Sequence, residues 1–166
     1  VAANGDSHIE TDIAPAIGTA GGKTNASSAY FDGNDHLTIT EDTTDWAFGT
    51  GNFTIDFWVY VASYPSSTSR GLVGNHVGAN ATNWSLQLTT SGYVYFKTGN
   101  AGTTLTSTAI GTGAWKHIAV VREGTGSNQF KMYLNGVVFA TGTMAQDFSG
   151  SNNLYVAYDY QDDSGN

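Results

Sequence analysis

The clearest pattern in the chain is a strict alternation of side-chain types across residues 53–61. One set recurs at every second position and is wholly apolar: Phe53, Ile55, Phe57, Val59 and Val61. A period of two is that of a β-strand with one buried face. Trp58 and Tyr60 make the other face partly apolar too, so the pattern predicts a central strand covered on both faces.

A second strong signal is the dipeptide Asn135-Gly136 between two short apolar runs. Both residue types tolerate the positive φ of a type I′ turn, which predicts a hairpin of strands 130–134 and 137–140. Ser91-Gly92 predicts a similar turn between residues 84–90 and 93–98. Five further strands are predicted at residues 29–31, 37–39, 71–75, 115–122 and 154–158.

No long segment has the 3.6-residue apolar period of a helix, and 21 glycines argue further against helix. Short strands at regular spacing predict an antiparallel sandwich or barrel. Residues 1–27 are less regular and fit an edge strand followed by a loop, or an arm that docks elsewhere. We expect residues 1–166 to form a single domain, since this length suits one core.

Composition narrows the class of partner. Fourteen Asp and Glu against six Lys and Arg give a formal net charge of −8, so we expect no nucleic acid partner. Cysteine is absent, which excludes disulfides and thiolate metal sites. No apolar run reaches the ~20 residues of a membrane-spanning helix, so we expect no membrane insertion.

Several segments, in this order and spacing, resemble the laminin G-like domains of the concanavalin A-like group. They are residues 28–33 with 37–39, residues 51–59, and residues 115–120 with 133–136. The resemblance covers about residues 2–158. It is closest to the version found in phage tail and virion surface proteins, in which a segment like residues 42–53 of this chain is nearly constant. It implies an all-β, antiparallel, two-sheet jelly-roll sandwich.

Two departures from this family concern the ends of the chain. Members usually open with a Leu-Leu-His-Phe-Asp-Gly type of strand and close with a Gly-Tyr-Ile-Asp-Glu-Val-Arg type, and neither is present. We therefore expect a sandwich that lacks its outermost terminal strands. The chain is then a fragment of a longer polypeptide, or a domain completed by a neighbouring chain.

The residues that catalytic relatives use are missing. The resembling β-glucanases carry Glu-x-Asp-x-x-Glu or Glu-x-Asp-x-Glu, because retaining hydrolysis needs two nearby carboxylates. Here Glu10-Thr11-Asp12 begins such a motif, but Ala14 and Pro15 occupy the places of the second glutamate. No Gly-x-Ser-x-Gly turn occurs either. We predict that the chain is not an enzyme.

Sugar binding would use exposed aromatic rings and polar side chains on loops at one end of the sandwich. The predicted carbohydrate-binding residues are Tyr64, His76, Trp84, Tyr158 and Tyr160. Trp84 also begins a strand, which favours packing. Trp46, Trp58 and Trp115 occupy family-pattern positions and are interpreted as structural, as is His117 in a core strand.

Calcium is the metal that acidic loops favour, because hard cations take carboxylate and carbonyl oxygens. Asp32 in a Phe-Asp-Gly turn is one candidate ligand, and a second group lies near the end of the chain: Asp159, Asp162 and Asp163. The alternative is that Asp32 forms an Asx turn and that the later acids are solvated.

Together these features predict a non-catalytic binding or adhesion module on a virion surface or extracellular structure. Its expected partners are glycans or cell-surface polysaccharide, and neighbouring subunits of an assembly. One alternative is a structural decoration or assembly subunit of a capsid, tail or filament without a ligand. The other is a glycoside hydrolase-related domain.

Overall fold

The computed structural model describes residues 2–4, 8–10, 28–33, 35–40, 44–75, 80–99 and 102–158. These ranges contain strands and no helix, and so no helix long and apolar enough to cross a membrane. The strands are β1 (Ala2–Asn4), β2 (His8–Glu10), β3 (Ser28–Tyr30), β4 (His36–Ile39), β5 (Phe53–Tyr60), β6 (Arg70–Gly74), β7 (Trp84–Leu88), β8 (Tyr93–Thr98), β9 (Gly102–Ala109), β10 (Trp115–Arg122), β11 (Phe130–Leu134), β12 (Val137–Gly142) and β13 (Leu154–Val156).

Two antiparallel sheets form the jelly-roll sandwich. The larger has seven strands in the order β1-β4-β13-β6-β7-β8-β9, and the smaller has four in the order β12-β11-β10-β5. β2 and β3 pair separately as a two-stranded sheet. The core lies between the two large sheets, where the Phe96 ring from β8 lies 5.0 Å from Phe130 of β11 and 6.4 Å from Phe53 of β5.

A buried arginine ties the loops before β5 and β13 to the core. Arg122 is 1% exposed. Its guanidinium nitrogens donate at 2.7, 2.7 and 2.8 Å to the backbone oxygens of Gly49, Gly51 and Gln146. Its carbon lies 4.9 Å from the ring centroid of Phe53 and 5.1 Å from that of Phe148. Burial lowers the pKa of Arg122, and the charge of Asp147 opposes this shift.

The strongest sequence predictions are confirmed. Residues 53–60 and 115–122 form strands, and the hairpin turns at Asn135 and Gly136, whose φ values are 51° and 81°. The shorter strands predicted at 29–31, 37–39, 71–75 and 154–158 are present with shifted ends. Residues 2–4 form the edge strand β1, in agreement with the first expectation for residues 1–27.

Three details differ. In the described part of the chain β5 lies at the edge of its sheet and has one exposed face, so the prediction of a central strand covered on both faces is wrong. The turn between β7 and β8 is longer than two residues, because β7 ends at Leu88 and β8 begins at Tyr93. β9 was not predicted, since Gly-Thr-Thr-Leu-Thr-Ser-Thr-Ala holds only one large apolar side chain, Leu105.

Candidate functional site: an exposed aromatic face

The smaller sheet carries aromatic side chains on the face that points away from the core. Side chains alternate between the two faces of a strand, and the register aligns Trp58 with His117 and Tyr60 with Trp115. We define the outer aromatic face as the outward-pointing residues in the central part of β5, β10 and β11: Asp56, Trp58, Tyr60, Trp115, His117, Ala119 and Tyr133.

The rings of this face meet in two cross-strand pairs. The ring centroids of Trp58 and His117 lie 5.1 Å apart with an interplanar angle of 43°. Those of Tyr60 and Trp115 lie 5.7 Å apart at 63°. Trp58 is 42% exposed. Large aromatic surface in contact with water is uncommon on a folded domain and marks an interaction site.

Polar contacts hold the histidine of this face in place. Nε2 of His117 lies 2.9 Å from Oδ2 of Asp56 on the neighbouring strand. The backbone N–H of His117 donates to Oδ1 of Asn135 at 2.9 Å, and the N–H of Asn135 donates to the carbonyl oxygen of His117 at 2.8 Å. The turn at Asn135 and Gly136 therefore fixes the position of His117, and through it the orientation of Asp56.

Ala119 marks the position that we call the depression of the outer aromatic face. It is aligned with Asp56 on one side and with Tyr133 on the other, and it is the smallest side chain of the set. Ala119 is 9% exposed, and it is not a member of the hydrophobic cluster between the two sheets. A carboxylate and a phenol thus flank a small apolar floor.

One ion pair lies beyond the depression. Nζ of Lys131 on β11 lies 2.6 Å from Oε2 of Glu123, and this hydrogen bond raises the pKa of Lys131. A cleft of about 350 Å³ opens near this end of the face, lined by Asn52, Phe53, Thr54, Val121, Arg122 and Glu123. The Arg122 guanidinium already bonds three backbone carbonyls there. Its hydrogen bonds serve the fold and not a ligand.

Of the predicted carbohydrate-binding residues, Trp84 is wrong. It is 1% exposed and packs in the core, with its ring 6.2 Å from that of Phe96. Tyr64 also has a packing role, because its ring covers Gly92 and its hydroxyl accepts a 3.0 Å hydrogen bond from the N–H of Gly111. Trp84 therefore presents no free face for a sugar, whereas the role of the half-buried Tyr64 in sugar binding stays a prediction.

Tyr158 lies in a different place from the outer aromatic face. Its ring centroid is 4.7 Å from that of Tyr155 and 4.8 Å from that of His36, in a half-buried cluster beside the larger sheet. His76 and Tyr160 lie outside the described residues. The role of Tyr158 in sugar binding stays a prediction.

Of the predicted calcium ligands, Asp32 is the one that lies within the described residues. The N–H of Asp32 donates to Oδ2 of the buried Asp35 at 3.4 Å, and the Asp32 side chain itself is exposed. In the part of the chain that the structure describes, no three His, Cys, Asp or Glu side chains are grouped to hold a metal. Calcium takes six to eight oxygen ligands, and the binding of calcium at Asp32 stays a prediction. The other candidates, Asp159, Asp162 and Asp163, lie outside the described ranges.

The sequence interpretation missed the outer aromatic face because it treated Trp58, Trp115 and His117 as structural. The signal was present in the alternation itself. In 53–61 the set Phe53, Ile55, Phe57, Val59 and Val61 already fills the core face, so Trp58 and Tyr60 belong to the opposite one. A sheet of four strands with one solvated face then exposes them.

Solved structures with a similar fold support the architecture. Domains LG4-5 of the mouse laminin alpha1 chain match at 15% sequence identity with a TM-score of 0.51, over 73% of this chain and 30% of that chain. The binding domain of botulinum neurotoxin serotype C1 matches at 15% identity with a TM-score of 0.53, over 74% of this chain and 31% of that chain. The present chain thus spans about a third of the length of each.

No curated protein matches the chain by sequence. A family model does match, over residues 22–165, and it describes the concanavalin A-like lectin/glucanases superfamily. The laminin G-like resemblance is thereby confirmed, while the closer resemblance to phage tail and virion proteins stays a prediction. The match covers most of the chain, which therefore belongs to the concanavalin A-like lectin/glucanases superfamily.

Proposed function

We propose that this domain is a non-catalytic carbohydrate-binding module and that it binds glycans on the outer aromatic face. The observation that carries the proposal is the row formed by Trp58, His117, Tyr60 and Trp115, with the Trp58 ring 42% exposed. The proposed setting is an outer surface, either a virion or an extracellular structure. Residues 1–166 are proposed as one domain of a longer polypeptide.

The chemistry of the face suits a sugar ring. The C–H groups on one face of a pyranose are apolar, and covering them with an indole removes apolar surface from water. Hydroxyl groups at the rim of the sugar need hydrogen-bond partners when they lose water. Asp56 and Tyr133, on either side of the Ala119 depression, supply an acceptor and a phenol at this position.

Relatives by fold add support for the class of ligand. Cell entry of botulinum neurotoxin type C depends on interaction with two ganglioside molecules, and that protein matches this chain at 14% identity with a TM-score of 0.53. At 14% identity this similarity shows a shared fold and not a shared ligand. The inference to a glycan here rests on the aromatic residues.

The same face favours binding over hydrolysis. Glycoside hydrolases of the usual type use a pair of Asp or Glu residues that flank the scissile bond. The outer aromatic face holds one carboxylate, Asp56, and its Oδ2 is in contact with His117. The next carboxylate along this sheet, Glu123, is paired with Lys131. We therefore propose no catalytic step.

Calcium at Asp32, Asp159, Asp162 and Asp163 remains a separate proposal, on which glycan binding at the outer aromatic face does not depend. Thermal unfolding with added calcium and with a chelator tests it. A rise in melting temperature that Asp32→Asn removes supports a site at Asp32. Identical curves in both conditions contradict it.

The glycan proposal is tested with an array of plant, algal, microbial and animal glycans, followed by calorimetry on the strongest ligand. Trp58→Ala is the test variant. Tyr93→Ala is the matched control, because Tyr93 is also 42% exposed but lies on β8 of the other sheet. Loss of an aromatic anchor at the centre of an interface costs about 2 kcal/mol or more, so we expect Trp58→Ala to weaken binding about thirtyfold or more.

Tyr93→Ala should bind as the unaltered domain does, and the circular dichroism spectra of both variants should match it. Absence of binding to every glycan of the array contradicts glycan binding. Binding that survives Trp58→Ala contradicts the proposed place of the site.

One observation favours a second candidate function, assembly through a strand edge. In the described ranges β5 pairs only with β10. Its core-facing Phe57 and Val59 are half-buried, whereas Ile118 and Val120 of β10 are buried. A long strand edge beside incompletely covered apolar side chains favours addition of a strand from a neighbouring subunit. Sedimentation velocity over a wide concentration range tests this, and a monomer throughout contradicts it.

A further inference from the structure

We propose that the outer aromatic face selects neutral glycans over acidic ones, and that Asp56 is the residue that sets this preference. The inference rests on the proposed function and deepens it by naming the class of sugar. It follows from the signs and positions of the charged groups around the aromatic rings.

Asp56 stands at the centre of the face. It shares the outward side of β5 with Trp58, two residues along the strand, and it is aligned with Ala119 at the floor of the depression. Its side chain is 58% exposed, so the carboxylate meets any ligand that covers Trp58 and Ala119. A neutral sugar supplies hydroxyl donors to this carboxylate, while a uronate, sialate or sulfate brings a second negative charge.

The lysine that points outward from the described strands of the smaller sheet does not offset Asp56. Lys131 points outward from β11, and its ammonium group is bonded to Glu123 at 2.6 Å. At distances much longer than their separation, the charges of Lys131 and Glu123 cancel each other. With His117 in its neutral form, the remaining charge of the face is that of Asp56, which contacts the ring of His117. Recognition of acidic sugars normally uses Arg or Lys in bidentate or close contact with the anion.

The net charge of the whole chain also disfavours acidic glycans. Its formal net charge is −8, so an anionic polysaccharide approaches against a repulsive field. This long-range effect is screened by salt, with a Debye length of about 10 Å at 0.1 M and about 3 Å at 1 M. Asp56 acts on a bound ligand at a distance of a few ångströms. Its effect is therefore screened less than that of the net charge and persists to higher salt concentrations.

The test uses matched pairs of immobilised polysaccharides that differ in charge alone. Suitable pairs are a β-glucan and its carboxymethyl derivative, agarose and a sulfated galactan, and methyl-esterified and de-esterified pectin. Affinities are measured for the unaltered domain, for Asp56→Asn and for Asp45→Asn. Asp45→Asn removes the same charge from an exposed loop before β5 and serves as the control.

We expect the unaltered domain to prefer the neutral member of each pair that it binds. Asp56→Asn should reduce the neutral-to-acidic affinity ratio by about fivefold, the effect of one unit charge a few ångströms away in water. Asp45→Asn should leave the ratio within about twofold, because Asp45 is an exposed loop residue outside the outer aromatic face and salt screens its charge.

The outcomes separate the two proposals. Preference for the acidic members, with binding still lost in Trp58→Ala, overturns the selectivity and leaves the glycan site standing. An equal change of the ratio in Asp56→Asn and Asp45→Asn overturns the role of Asp56 and assigns the preference to net charge. Absence of binding to every polysaccharide overturns the proposed function, and the selectivity with it.

Discussion

Nε2 of His117 lies 2.9 Å from Oδ2 of Asp56 across strands β10 and β5, on the solvent side of the smaller sheet. The same histidine ring packs against Trp58. One side chain therefore links the charged and the aromatic parts of the outer aromatic face. The face is organised by contacts that the core does not require, and this agrees with a role in binding.

The pair itself should contribute little to stability. Both side chains are accessible to solvent, and exposed ion pairs are typically worth about 0.2–1 kcal/mol. A double-mutant cycle of Asp56→Asn and His117→Gln, followed by urea unfolding, should give a coupling free energy below about 1 kcal/mol. A coupling above about 2 kcal/mol would show that the pair supports the fold and would weaken its assignment to the binding face.

Arg122 should be essential for stability. Arg122→Met removes three hydrogen bonds to part-buried backbone carbonyls, of which that of Gly49 keeps the N–H of Phe148 as a donor. We expect a loss of about 2–4 kcal/mol in the free energy of unfolding. Lys131→Met is the control, because it removes a cation of the neighbouring strand that is paired at the surface. Its denaturation midpoint should hardly change. Equal midpoints for the two variants would contradict the structural role of Arg122.

Gly136 tests the hairpin turn. Its φ is +81° and a Cβ at this position meets no atom within 4 Å, so any penalty comes from the backbone conformation. Gly136→Ala should cost about 1 kcal/mol, and Gly136→Asn should cost less because Asn tolerates the left-handed region. Thermal unfolding of both variants measures the difference. Equal stability of Gly136→Ala and the unaltered chain would contradict a left-handed residue here.

Ala119 tests the depression in the outer aromatic face. Ala119→Leu fills the space between Asp56 and Tyr133 without entering the core, so it should weaken glycan binding and leave stability within about 1 kcal/mol. Ala140→Leu is the matched control, because Ala140 packs against the hydrophobic core. There we expect destabilisation by overpacking of about 1–3 kcal/mol. The reverse pattern would contradict the assignment of the two faces.

Much of the fold could be predicted from the sequence, because strands and turns are local. The alternation at residues 53–61 and the Asn135-Gly136 turn each fix a backbone conformation within a few residues. The sequence does not predict β9, because its Thr and Ser side chains give no apolar period. What places it in the sheet is pairing with β8, which is a non-local effect.

The candidate site could not be predicted in the same way. Whether Trp58 is covered or exposed depends on where β5 lies in the sheet, and the strand order is a property of the whole chain. Trp84 is the opposite case. The sequence predicts it as a possible sugar contact, whereas its side chain lies in the core. The two residues have similar local sequence signals and differ only in which face of a sheet they occupy.

The most direct test of the central claim follows the side-chain signals of the four tryptophans by NMR. The strongest glycan ligand from the array is titrated into isotope-labelled protein, and the indole N–H resonances are assigned by single substitution. We expect shifts or broadening for Trp58 and Trp115, which lie on the outer aromatic face, and unchanged signals for the packed Trp46 and Trp84. Saturable binding that leaves Trp58 and Trp115 unchanged would contradict this expectation.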